Sequence, residues 1–290
     1  MGFESDTGGF VMKHGMYAME HNDGFRCGLC PHYCLLSLGQ TGICRVRRVE
    51  AEGLMSLNYG KISAMQIDPV EKKPLARFMG GTNTFSIGSY GCNFRCPYCQ
   101  NYHIAMEHPE TIALSPGDVV QKALEARTPS ISFTYNEPVV SYEFVLDTAQ
   151  MAKENGLATI LVTNGFICQE PLRELLPFVD AMNIDLKAFT EQAYRKFCGG
   201  SLKPVMETIS MAVEMCHVEV TTLLVTGMHQ EGELEAMVKW LASLSNEIPL
   251  HISRYFPRHQ YSEPATTLQQ IHETQEMARK HLAYVYAGNV

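Results

Sequence analysis

From about Thr84 onward the chain alternates short runs rich in β-branched residues with longer amphipathic stretches, and this alternation limits the fold more than any other feature. Strands separated by helix-length segments do not pair as hairpins; they read as βα units around a parallel sheet. Six strands are expected, at residues 84–89, 130–135, 158–163, 181–187, 218–225 and 250–254, with a last short strand at 283–287. Helical stretches lie between or after most of them. One opens at Ser115-Pro116-Gly117-Asp118, where Ser can cap and Pro sits in a first turn that has no N–H partner to lose. Others cover 138–155, which stops at Asn155-Gly156, then 230–246 and 267–281. The fold class is therefore α/β.

Residues before about Leu75 differ. They are cysteine-rich, contain several glycines and show one clear alternating run, at 60–67. We expect two units, a small cysteine-rich module over 1–75 and a larger βα unit over 76–290. No internal repeat at solenoid periods is present.

The first residues, Met1-Gly2-Phe3-Glu4-Ser5-Asp6, lack the charged and apolar regions of a signal peptide, and no apolar stretch is long enough to span a bilayer. A cytoplasmic monomer is expected. A net charge of -8 argues against tight non-specific binding to nucleic acid, which depends on Lys and Arg displacing counterions.

Ten cysteines would suggest disulfides in a secreted chain and metal ligands in a reducing cytosol. Spacing favours metal, because seven of the ten fall in two tight groups, leaving Cys168, Cys198 and Cys216 scattered. In the second group, Tyr90-Gly91-Cys92-Asn93-Phe94-Arg95-Cys96-Pro97-Tyr98-Cys99, three thiols lie just after the first expected strand. Thiolates suit zinc or iron-sulfur clusters, and a structural zinc wants four protein ligands. Three local ligands leave two readings: a zinc loop completed by a distant His or Cys, or a 4Fe-4S cluster with one iron open. In the first group, Cys27, Cys30, Cys34 and Cys44 supply four soft ligands on one short segment, which closes a site for zinc or for a second 4Fe-4S cluster.

Polar motifs close the expected strands. Thr134-Tyr135-Asn136-Glu137-Pro138 ends the second, Val162-Thr163-Asn164-Gly165 the third, and Asn183-Ile184-Asp185-Leu186-Lys187 the fourth. In parallel α/β folds ligands bind at this carboxyl edge. Asp185 and Lys187 are two apart on a strand and so point to one side, and an ion pair closing so apolar a run suggests a site. Glu137-Pro138 also reads as a helix start. His251-Ile252-Ser253-Arg254 ends the sixth strand, where His251 or Arg254 could face a ligand.

The C-x3-C-x2-C spacing of Cys92, Cys96 and Cys99 resembles the signature of the radical S-adenosylmethionine (SAM) superfamily. With the strand-end motifs, the resemblance runs from Asp68 to Val290. It is strongest to the branch of pyruvate formate-lyase activating enzymes, and within that branch to the AmmeMemoRadiSam system radical SAM proteins, which share the Cys-x2-Cys-Pro-His-x-Cys pattern near the N-terminus. The resemblance implies a partial (β/α)6 barrel and an oxidoreductase working anaerobically. In such an enzyme a 4Fe-4S cluster on the triplet, reduced by a donor such as flavodoxin or ferredoxin, cleaves SAM to a 5'-deoxyadenosyl radical that takes hydrogen from a protein or small molecule. It further implies Tyr98 near the adenine, Asn136 and Glu137 near the SAM ammonium, and Asp185 and Lys187 facing SAM, with Thr163, Asn164 and His251 beside it. Cys198, in Phe197-Cys198-Gly199-Gly200, is a candidate hydrogen-atom relay. Two departures from glycyl-radical activating enzymes stand out: Val162 replaces an Asp that helps hold a monovalent cation, and the extra cysteines precede the triplet. A non-catalytic zinc scaffold is the alternative of another class.

Overall fold

The computed structural model describes residues 12–290, so the N-terminal sequence read above for a leader lies outside the described residues. An eight-stranded sheet organises the chain. Its strands are β1 (Ala64–Pro69), β2 (Asn83–Gly88), β3 (Ser130–Phe133), β4 (Ala158–Thr163), β5 (Ala181–Asp185), β6 (His217–Leu224), β7 (Leu250–Arg254) and β8 (Val285–Gly288), in that spatial order. β1 pairs antiparallel with β2 and every other neighbouring pair is parallel. Strands in sequence order with helical crossovers are wound in one direction, as in a barrel left open at one seam. Six βα units and a seventh parallel strand result.

The main crossover helices are α1 (Pro116–Glu125), α2 (Tyr142–Glu154), α3 (Gln169–Leu175), α4 (Leu202–Ala212), α5 (Glu233–Leu244) and α6 (Leu268–Ala278). The Ser115 hydroxyl accepts from the Asp118 N–H, and the Asp118 carboxylate answers on Ser115, so α1 starts where its Ser-Pro signal places it. The stretch 138–155 opens as a 3-10 turn, Pro138–Ser141, before α2. Two strands stop two residues earlier than expected. Tyr135 takes a left-handed φ of 71°, which ends β3 at Phe133. The Lys187 N–H leaves the ladder to donate to the Tyr194 hydroxyl at 3.1 Å, which ends β5 at Asp185.

The opposite mouth of the barrel is closed by the chain after β1. Val70 and Leu75 pack on Ile160 and Ala181. The buried Glu219 carboxylate accepts from the Ala76 and Arg77 N–H groups at 3.0 and 2.7 Å. No helix among the described residues is long and apolar enough to cross a membrane.

Ahead of the barrel, Ala18–His21, Gly24–Cys27 and Leu35–Ser37 form one antiparallel sheet, and Lys13–His14, Arg47–Glu50 and Gly53–Ser56 another. The alternating run at 60–67 divides between Lys61–Ile62, which pairs with Ile112–Ala113, and β1 of the large sheet. One ion pair fastens the early sheets to α2: the Arg47 guanidinium donates to the Glu143 carboxylate, with both side chains buried. Arg47 also donates to the Met16 carbonyl at 2.7 Å, and Glu143 accepts from the Met16 N–H at 2.7 Å. Removing one member of such a pair strands a charge in a dry interior, whereas removing both does not. Arg47→Met is therefore expected to lower the unfolding free energy by about 3–5 kcal/mol, and Arg47→Met with Glu143→Leu to regain most of that loss. Urea unfolding of the three proteins checks this, and equal losses in the single and double variants would contradict it.

Candidate active site

The carboxyl ends of β2 to β5 and the loop after β2 surround a pocket of about 230 Å³. Cys92, Cys96 and Cys99 line one wall. Asn136, Glu137, Thr163, Asn164, Asp185 and Lys187 supply much of the facing wall, with Tyr98 and Val162 among the other lining residues. The parallel register explains the convergence, because strands running the same way bring every strand-end motif to one rim.

Each polar residue is held by another. The Asn136 side chain accepts from the Ser89 N–H at 2.9 Å and donates to the Gly91 carbonyl at 3.1 Å, so the end of β3 pins the loop that carries Cys92. Gly91 has a φ of 89°, and a β-carbon there would meet the Cys44 carbonyl oxygen at 2.8 Å. Only glycine fits that crossing. The Glu137 carboxylate accepts from Thr163 Oγ1 at 2.6 Å and from the N–H groups of Asn164 and Val139 at 2.7 and 3.1 Å. Asn164 in turn donates to Asn93 Oδ1 at 2.8 Å, and its Nδ2 lies 3.7 Å from Cys92 Sγ. Glu137 thus bridges the end of β4 and the start of the α2 segment, and through Asn164 it steadies the cysteine loop.

The charges are mixed. Lys187 Nζ donates to Asp185 Oδ2 at 2.9 Å. Burial opposes the Lys187 charge, but the Asp185 carboxylate and the Cys96 and Cys198 sulfurs outweigh it and raise its pKa well above the ordinary lysine value. Burial raises the pKa of Cys92, with the Glu137 charge adding to it, and burial also raises that of Cys99. Cys96 is lowered, first by its hydrogen bond with Cys198 and then, against burial, by the charge on Lys187. Backbone N–H groups are turned toward these sulfurs, Phe94 N lying 3.3 Å from Cys92 Sγ. Three thiols on one loop, served by N–H donors and facing an open pocket, fit a cluster that keeps one coordination position free.

The Radical SAM superfamily profile matches residues 86–241, more than half of the chain. The uncharacterized protein MJ0808 of Methanocaldococcus jannaschii is 39% identical, over 96% of this chain and 86% of its own length. The chain belongs to the radical SAM superfamily. The protein named putative glycyl-radical enzyme activating enzyme MJ1632, from the same archaeon, is 27% identical over 58% of this chain and 65% of its own length. The fold is also that of Streptococcus suis SuiB bound to S-adenosylmethionine, with a TM-score of 0.56 at 12% identity over 69% of this chain and 48% of that one.

Within this radical SAM chain, two residues expected near SAM lie elsewhere. His251 does not line the pocket; its Nε2 is 2.6 Å from the buried Glu219 carboxylate and its ring stacks on Tyr286. Glu219 needs donors, and its others are His217 and the backbone that closes the far mouth. Arg254 donates to the Thr266 carbonyl and stacks on Phe256. Cys198 is fully buried behind the triplet, 3.8 Å from the Tyr98 hydroxyl, and is not among the lining residues. Sequence reasoning missed Gln100, Asn101 and Met106, which line the pocket just after Cys99. Their position directly behind the third cysteine was the available signal.

Burial raises the Glu137 carboxyl pKa from its ordinary 4.5 to about 7, against the donors from Asn164, Thr163 and Val139. Between those values the folded chain binds more proton than the unfolded one, so the stability contributed by Glu137 falls as pH rises through that window and levels off above it. In SAM-free protein, urea unfolding between about pH 5 and about pH 8 should show this decline, reduced in Glu137→Gln. An unchanged slope in the variant would assign the titration to another group.

Proposed function

We propose that this chain is a radical SAM enzyme that cleaves SAM reductively and abstracts hydrogen from a protein or small-molecule substrate. One observation carries the reading: a cysteine triplet, an amide, a carboxylate and a lysine-aspartate pair from four successive strand ends border a single pocket. When bound, the 4Fe-4S cluster supplies the electron that splits SAM into methionine and a 5'-deoxyadenosyl radical.

The chain's own residues do the rest. Cys92, Cys96 and Cys99 would hold the cluster, and as three ligands they would leave one iron open to SAM. Lys187, kept charged and aimed by Asp185, takes the SAM carboxylate. Glu137 stands near the ammonium, and that cation would draw its carboxyl back toward the ionised form. Tyr98, on the cysteine loop, packs beside the adenine. With Val162 on this wall there is no carboxylate at that position for a cation.

The chemistry requires a low-potential one-electron donor of the flavodoxin or ferredoxin kind and exclusion of oxygen, conditions of a reducing cytoplasm. Relatives named as glycyl-radical enzyme activating enzymes favour a protein substrate. The N-terminal cysteine module and Val162, the two departures from glycyl-radical activating enzymes noted in the sequence, favour a different partner.

Protein purified without oxygen should be brown, change its EPR signal on adding SAM, and release 5'-deoxyadenosine under reduction. Replacing Cys92, Cys96 and Cys99 together by Ala should abolish that release, and a colourless wild-type protein holding only zinc would sink the proposal. Lys187→Ala should weaken SAM binding by roughly tenfold to a hundredfold, the weight of a hydrogen-bonded charge. Equilibrium dialysis against the wild type checks it.

A further inference from the structure

The four cysteines ahead of the barrel come together in three dimensions. Cys27 ends the strand Gly24–Cys27 and its N–H donates to the Cys34 carbonyl at 2.9 Å. Between them Cys30-Pro31-His32-Tyr33 makes a tight turn, with Tyr33 at a left-handed φ of 46° and its N–H on the Cys30 carbonyl at 3.1 Å. Cys44 arrives from a second turn, in which Arg45 has a φ of 67°. All four side chains border one cavity of about 20 Å³, together with His32, Arg47 and Asn93.

Two features of this cavity would serve metal-bound thiolates. Burial raises the pKa of the Cys30 and Cys44 thiols, and the His32 N–H at Cys30 and the Val46 and Arg47 N–H groups at Cys44 act against it. In the triplet the Phe94 and Asn101 N–H groups serve Cys92 and Cys99 in the same two-residues-on pattern. The buried Arg47 guanidinium lies 3.9 Å from Cys27 Sγ. Donors of this kind stabilise negative sulfur, and a neutral thiol has little use for them.

Four cysteine thiolates can close a site on zinc or on a 4Fe-4S cluster. What favours the redox-active group is the place of the site, set directly against the pocket that the other three cysteines line.

Asn93 lines this cavity while its neighbour Cys92 lines the other. His32 Nε2 lies 2.7 Å from the Asn93 carbonyl oxygen. The wall between the two cysteine groups is thus the Cys92 loop itself.

We infer that Cys27, Cys30, Cys34 and Cys44 hold a second 4Fe-4S cluster, closed to SAM by full cysteine ligation and placed to pass an electron to the cluster at Cys92, Cys96 and Cys99. The first half is tested by itself; the electron path rests on the function proposed above. One electron enters from a low-potential donor, reduces the second cluster by one, and moves to the first, leaving the second oxidised again. No bond is made or broken in the transfer.

The test begins with wild-type protein purified without oxygen. Roughly eight irons and eight sulfides per chain, with no zinc, are expected. Replacing Cys92, Cys96 and Cys99 by Ala should leave about four irons and an EPR signal indifferent to SAM. Replacing Cys30 and Cys34 by Ala, the less buried pair, should leave about four irons and a SAM-sensitive signal. In the fully reduced wild type the two spins should interact, so that its spectrum differs from the sum of the two variants. About four irons with one zinc in the wild type would overturn the second cluster while leaving the proposed function intact. Eight irons with no response to SAM in any protein would overturn that function and leave the second cluster standing. A wild-type spectrum equal to the sum of the variants would overturn the electron path.

Discussion

The carboxylate of Glu137 is the constraint on which the rim of this barrel depends. It sits in a buried position where an unpartnered charge is costly, so it gathers donors from the next strand end and from its own helix start. Those bonds set Asn164, and Asn164 sets Asn93 and the Cys92 loop. Asn136, one residue earlier, secures the same loop from its other end through Ser89 and Gly91. Two adjacent residues after β3 therefore hold a segment some 45 positions upstream in the fixed geometry that a metal cluster requires.

A second brace comes from the early sheets. Asn58 donates to the Tyr90 carbonyl at 3.0 Å and to the Ser141 hydroxyl at 2.6 Å, joining that region to both the cysteine loop and the start of α2. The Arg47-Glu143 pair acts on the same helix from deeper inside. The cysteine loop is thus clamped between barrel and N-terminal sheets, and the crossing at Gly91 shows how closely the two backbones approach.

Most strands of the barrel were legible because buried parallel strands need near-continuous runs of apolar and β-branched residues, and residues 158–163 and 250–254 read to the residue. Strand ends were less legible, since an N–H leaves a ladder only when a better partner waits elsewhere. Lys187 turns toward Tyr194, and no local pattern announces that. The run at 60–67 shows the same limit: its alternation marks a strand, yet nothing in it says that β1 will edge the large sheet.

The sequence by itself determined which thiols are grouped and how they are spaced, for the cysteines of each group lie so close along the chain that a few turns bring them together. It determined the winding as well, because alternating strands and helices of this length leave few other arrangements. Tertiary structure decided which polar side chains meet. His251 goes to Glu219 at the closed mouth, where a buried carboxylate needs donors, and Cys198 goes behind Cys96 because a turn ending at Gly199 folds it inward. Such pairings join residues tens to a hundred positions apart. Strand order and direction bring them within reach, and the requirement that buried polar groups find partners then selects among them.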